Sequence, residues 1–232
     1  MQFYFAAVRT VESGAWVVGA AEGVGLLGAA TKADKASGGA ISRAMPSCQF
    51  TGKAGQVMVV LAPAGVGASR LVVLGLGKPE QFDAAAAESA AAAAVGKLAG
   101  SAETQITFEL DAPKGAKVKG AQLAAHLAFG AKLKSYAFNQ YRTKDHDEHQ
   151  SKLANITILT GDVAAARRAW TRLEAVADGV FLARDLVNEP PNVLSPAEFA
   201  RRAAAASPVR IVMSASLDSI SSRFLVRYWL KV

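Results

Sequence analysis

The sequence predicts an α/β fold: a mixed sheet sandwiched between helices and followed by a helical linker. Two observations carry this. Apolar runs of strand length alternate along the chain with helix-length patterns, as one sheet layered by helices requires. Two of those runs, QVMVVLA (56–62) and LVVLGL (71–76), are apolar at nearly every position, which suits central strands covered on both faces. No internal repeat or low-complexity linker divides the chain.

Taken in order, segment 2–8 is rich in Phe and Tyr and reads as a first strand. AWVVGA (15–20) reads as a second, entered through a turn at Ser13 and Gly14 and broken by Gly23 and Gly25. Residues 26–44 carry a helical pattern interrupted at Gly38 and Gly39. PAGVGASR, between the two apolar runs, is turn chemistry. The alanine-rich stretch 82–100 is a helix, with Asp83 as its N-cap and Gly100 as its C-terminal stop. QITFEL (105–110) alternates as a strand does. Residues 119–138 place Leu123, Leu127, Ala131 and Leu133 at mostly helical spacing, and LANITIL (153–159) is another strand.

Asp162 opens a long helix through Leu186, with Trp170, Leu173, Val176, Val180 and Leu186 on one side. The stretch ARDLVNEPPNVL (183–194) then ends it. Pro191 restricts Pro190 to extended conformations and neither proline can donate a backbone hydrogen bond, which predicts a rigid, extended joint. SPAE (195–198) is a capping box with proline at the first helical position, and residues 209–213 read as a last short strand.

ARDLVNEPPNVLSPAEFARRA (183–203) resembles the segment leading into the catalytic domain of the leucyl aminopeptidases, also called cytosol aminopeptidases. GGAISRA (38–44), FTGKAGQ (50–56), LVVLGLGK (71–78) and YRTK (141–144) are similar to that family's amino-terminal domain, in the same order. The resemblance covers residues 1–206. It implies a macro-domain-like sheet over 1–160, and linker helices with the NEPPN joint over 161–206. It also implies a metal-dependent release of N-terminal amino acids from peptides by the family enzyme. Such enzymes hold two divalent metal ions, manganese or zinc, in a carboxylate-rich site that activates a water. The resemblance puts those residues beyond the joint, in motifs absent from this chain, where only Glu198 and Asp218 follow Asn192. The chain by itself is therefore expected to be inactive, with no catalytic, metal or cofactor-binding residue carried over. The full-length family is expected to form homo-oligomers and to meet peptides only through the missing domain. The tail 207–232 is atypical and is expected to be truncated or frame-shifted, with a terminal strand docking on an exposed edge as the alternative.

Bulk properties bound the remaining classes. Of the 232 residues, 51% are hydrophobic and 19% charged, enough to bury a core. Alanine supplies much of that share, so burial energy rests on Val, Leu, Ile and Phe. A net charge of +7 permits DNA or nucleotide-like ligands, but no dense basic run favours nucleic acid. The single cysteine, Cys48, excludes an internal disulfide and fits a reducing compartment. The opening MQFYFAAVRT lacks the basic stretch of a signal peptide, and no apolar run reaches membrane-span length, so a cytoplasmic location is expected.

Other candidate groups have cheaper structural readings. Cys48 reads as a small buried hydrophobe rather than a nucleophile. His126 lies within an apolar helix and reads as a packing residue. Asp145, His146, Asp147, Glu148 and His149 are ligand-type residues, but neighbours in sequence do not converge on one ion from a helix or strand, so they read as a polar loop. Asp185 and Glu189 flank the joint and read as solvated helix-end groups paired with Arg184. Gly75 and Gly77 follow a strand as in a dinucleotide fingerprint, yet Glu80 stands at the third glycine position. Gly65, Val66 and Gly67 lack the lysine of a phosphate loop. A macro-domain-like fold keeps a nucleotide-like ligand as the alternative.

Overall fold

The computed structural model describes residues 1–141 and 151–206. Its elements run β1 (Gln2–Ala6), β2 (Ala15–Ala21), β3 (Gly25–Leu26), α1 (Gly28–Ala36), α2 (Ala40–Ser47), β4 (Val57–Leu61) and β5 (Arg70–Gly75). They continue with a 3-10 turn (Pro79–Gln81), α3 (Ala84–Leu98), β6 (Gln105–Phe108), α4 (Gly120–Lys134), β7 (Asn155–Leu159), α5 (Val163–Asn188) and α6 (Pro196–Ala206). The expected strand at 209–213 and the acidic-histidine run at 145–149 lie outside the described residues.

Among the described residues, seven strands form one sheet in the order β1-β7-β6-β2-β5-β4, with β3 paired to β2. The pairs β1/β7, β7/β6, β6/β2 and β2/β5 are parallel, while β4 runs antiparallel to β5 and β3 antiparallel to β2. The sheet is thus mixed, as expected. QVMVVLA forms an edge strand, not a central one. Its apolar character on both faces follows from two helices, α2 and α3, reaching the sheet edge from opposite sides.

Side-chain periodicity accounts for the layering. Val17, Val72, Leu74, Ile106, Phe108, Ile156 and Ile158 point to one face and pack with α3, α4 and α5. Trp16, Val18, Ala20, Leu71 and Val73 point to the other and pack with α1 and α2. β2 and β5 are covered twice and are apolar along their length except for Arg70, at the start of β5. β1, β6 and β7 alternate, so Gln2, Tyr4, Thr107, Asn155 and Thr157 line a polar half of the second face.

The alanine run is a packing surface. Ala87, Ala90, Ala91 and Ala94 of α3 are buried against Ala124, Leu127, Ala128 and Ala131 of α4. Asp83 caps α3 by accepting from the Ala86 amide at 3.0 Å, as expected. α5 buries Ala166, Trp170 and Ala177, with Leu173 partly packed against the same cluster. Val176, expected on that side, is 54% exposed. Lys132 ties α4 to α5 through Asp178 at 2.6 Å and lies over the Trp170 ring at 5.7 Å.

Residues 1–188 form one compact unit and the chain from Glu189 a second. Within the second, the joint is a turn rather than extended. The amides of Val193 and Leu194 both donate to the Pro190 carbonyl at 2.9 Å. A carbonyl oxygen carries two lone pairs and so takes both donors.

Candidate functional site

In α/β sheets, ligand crevices open at the carboxyl ends of strands where neighbouring chains part. The corresponding place here is the end of β6. Its ladder with β2 stops at Phe108, and one more bond, Glu109 N–H to the Val17 carbonyl at 2.9 Å, closes it. From Ala20 onward β3 takes the same edge of β2. The chain leaving β6 carries two carboxylates into the gap, Glu109 and Asp111.

Glu109 is 7% exposed and accepts a 3.1 Å hydrogen bond from the Trp16 indole N–H. Burial pushes its pKa above the ordinary carboxylate value and the nearby Asp111 charge adds to the rise, while Lys32 and the indole hydrogen bond oppose it. Asp111 accepts a 2.7 Å bond from the Ala29 amide in the first turn of α1. It takes the part of a side-chain cap that Leu27, the residue at the cap position, has no group to play. The anion seat of α1 is thus filled by the protein's own carboxylate, beside a second one. This cluster stabilises a helix start and favours the protonated form of Glu109 more than water would; it does not offer a free seat to phosphate.

The glycine-rich segments serve each other. A Cβ at Gly75 would lie 2.0 Å from the Lys53 carbonyl, so the loop at 51–56 packs against the end of β5 only because residue 75 has no side chain. The Gly77 amide donates to the Gly52 carbonyl at 2.9 Å. The Gln56 side chain accepts from the amides of Thr51 and Lys53 and donates to the Gln49 carbonyl. FTGKAGQ and LVVLGLGK are thus two halves of one packed corner.

The remaining candidates sit apart. Cys48 is exposed at the end of α2, not buried as expected: the helix stops there and only Ile41 of α2 is buried. His126 joins α4 to α3 through a 2.7 Å contact with Glu88. Neither Asp185 nor Glu189 takes Arg184 as expected. Asp185 accepts from the Tyr136 hydroxyl at 2.9 Å, and that hydroxyl accepts from the Asn188 amide at 3.0 Å. Arg184 donates to the Leu133 carbonyl at 3.2 Å and stacks on the Tyr136 ring. Glu189 takes Arg202 at 2.8 Å, and Arg202 also reaches Glu198 at 2.7 Å. In the capping box the Glu198 amide donates to Ser195 Oγ at 3.3 Å, while its carboxylate goes to Arg201 and Arg202.

Among the described residues, no group of three His, Cys, Asp or Glu could hold a metal ion. No described helix is long and apolar enough to cross a membrane. Sequence reading passed over Trp16, Glu109, Asp111 and Arg202. The first three meet over 80 residues or more of chain, which local pattern does not report; the Glu198–Arg202 spacing of four was the one local signal.

The fold is that of an aminopeptidase N-terminal domain. A tomato leucine aminopeptidase variant superposes with a TM-score of 0.72 at 24% identity, over 88% of this chain and 42% of that one. The bottromycin maturation enzyme BotP in complex with Mn gives a TM-score of 0.61 at 29% identity, over 81% of this chain and 34% of that one. Residues 17–145 match the description "Cytosol aminopeptidase family, N-terminal domain". The chain belongs to the cytosol aminopeptidase family and holds its N-terminal domain. A probable cytosol aminopeptidase of Afipia carboxidovorans is 46% identical over 168 residues, 72% of this chain and 33% of the relative. One from Rhodopseudomonas palustris is 41% identical over 201 residues, 86% of this chain and 40% of the relative. The chain thus spans about a third to two-fifths of the length of these relatives.

Proposed function

We propose that this chain is the assembly and positioning part of a leucyl-aminopeptidase-type metallopeptidase. The whole enzyme would release N-terminal amino acids from peptides in the cytoplasm with two divalent ions, manganese or zinc. In this reading residues 161–206 form the connection to the catalytic portion, and the chain alone hydrolyses nothing. The observation that supports it is the pairing of a family match over residues 17–145 with described residues that gather no metal-holding cluster. Metal-assisted peptide hydrolysis needs several carboxylates on the ions, and here Glu109, Asp111, Glu189 and Glu198 are engaged by Trp16, Ala29, Arg202 and Arg201 instead.

The test is an assay of the purified chain on leucine anilide with added manganese or zinc. No turnover above buffer is expected. Metal-dependent turnover that a chelator abolishes would place an active site in this chain and overturn the reading.

A further inference from the structure

The outer edge of β4 has a self-complementary hydrogen-bond pattern. Two bonds fix its phase: Gly75 N–H to the Gln56 carbonyl at 2.8 Å, and Ala62 N–H to the Ser69 carbonyl at 2.9 Å. Alternation along the strand then turns the backbone groups of Met58 and Val60 toward β5, opposite Val73 and Leu71. Those of Val57, Val59 and Leu61 point away from the sheet. Among the described residues, no hydrogen bond reaches these three from beyond the edge. Edges are ordinarily protected by charge, proline or a bulge. VMVVL has no charged residue and no proline, and Leu61 is 62% exposed.

We propose that β4 pairs with β4 of a second copy of this chain, antiparallel, about a two-fold axis through Val59. In that register Val59 faces its own counterpart and Val57 faces Leu61 of the other copy. Each is a pair whose amides and carbonyls both point across the new seam, so three pairs exchange six hydrogen bonds. Opposed residues share a face. Val57 and Val59, which pack on the α3–α5 side, meet Leu61 and Val59 there, while Met58 and Val60 meet on the α1–α2 side. No like charges oppose. A five-residue seam buries less than the roughly 1,200 Å² of a stable complex, so the dimer is weak and concentration-dependent. The proposal does not depend on the aminopeptidase reading.

The test is sedimentation of the full chain over a concentration series, with Val59→Pro alongside. Proline removes a donor that faces away from β5, so the strand keeps its ladder, and melting curves check this. A dimer is expected at high concentration, with its dissociation constant raised at least about tenfold by Val59→Pro. A second measurement stands even where that variant folds poorly. In a Cys48→Ser background, Val59→Cys should cross-link on oxidation, because facing residues lie about 5.5 Å apart in such a pair. Val57→Cys should not, since its counterpart is about 14 Å along the seam. A chain monomeric throughout, a dimer indifferent to Val59→Pro, or cross-linking stronger at 57 than at 59 would each overturn the proposal.

Discussion

The indole N–H of Trp16 donates a 3.1 Å hydrogen bond to Oε2 of Glu109 across 93 residues of chain, where both residues are buried. The bond joins the middle of the sheet to the end of β6. Glu109→Gln keeps an acceptor oxygen and removes a buried charge, so it should be neutral or stabilising at neutral pH. Glu109→Ala strands the indole N–H and should cost about 1–3 kcal/mol. Burial raises the Glu109 pKa in the folded state, so the folded form binds its proton more tightly than the unfolded form. The stability this contributes is complete below the ordinary carboxylate pKa and is lost as pH rises through the raised value. Wild type should therefore lose stability relative to Glu109→Gln on going from acid toward neutrality. Parallel melting profiles for the two proteins across that range would refute the assignment.

Asp111 and Gly28 form a second coupled pair. Asp111→Ala removes the acceptor for the Ala29 amide and should cost about 0.5–2 kcal/mol. A Cβ at Gly28 would stand 2.8 Å from Asp111 Oδ2, so Gly28→Ala should displace that carboxylate. In the Asp111→Ala background the same change meets no carboxylate and gains the helix preference of alanine. The double-mutant cycle should show coupling of about 0.5 kcal/mol or more. Additive effects in urea melts would mean the carboxylate is not seated on α1.

Arg202 holds the exit turn by bridging Glu189, just before the bend at Pro191, and Glu198, in the first turn of α6. The two arginines hold the Glu198 carboxyl at a pKa of about 2. A lowered carboxylate pKa stabilises the fold above the ordinary value, and that contribution is lost as pH falls through the lowered one. The clamp should therefore persist through mild acid. Arg202→Ala should speed limited proteolysis between 189 and 206 by no more than about fivefold, because these groups are partly exposed. Arg202→Lys, which lacks the two-pronged fork, should fall between. Equal cleavage of all three proteins would show that the ion pairs do not hold the turn.

How far the sequence could be read follows from what is local. The alternation in QITF and NITIL reports a sheet half covered on one face, and the caps at Asp83 and Ser195 report helix starts, because both depend on neighbours a few residues away. VMVVL reports burial on both faces but not which strand lies beside it; two helices meeting at an edge produce the same pattern as a central position. The turn after Pro190 depends on a carbonyl receiving two amides, which the proline restriction on backbone angles leaves open. The Trp16–Glu109 and Ala29–Asp111 contacts depend on the order of strands, and nothing within either segment names its partner.

Gly130 marks where α4 comes closest to α3, and it yields the sharpest contrast with a neighbouring glycine. A Cβ there would lie 2.1 Å from the Glu88 carbonyl oxygen and 2.5 Å from its Cα, both backbone atoms of α3. On an isolated helix, glycine to alanine gains about 1 kcal/mol. At Gly130 the gain is overtaken, because alanine would drive two tightly packed helices apart and strain the His126–Glu88 contact one turn away. Gly130→Ala should cost about 1–3 kcal/mol or more. Gly96 is the control within α3. Its Cβ would meet the end of the Lys134 side chain, Cε at 2.9 Å and Nζ at 3.7 Å, and that flexible chain end can move aside. Gly96→Ala should therefore be neutral or stabilising by up to about 1 kcal/mol. Urea unfolding of the two variants should move the midpoint in opposite directions. A Gly130→Ala protein as stable as wild type would mean that α3 and α4 do not approach this closely, and that the alanine faces between them set a looser contact.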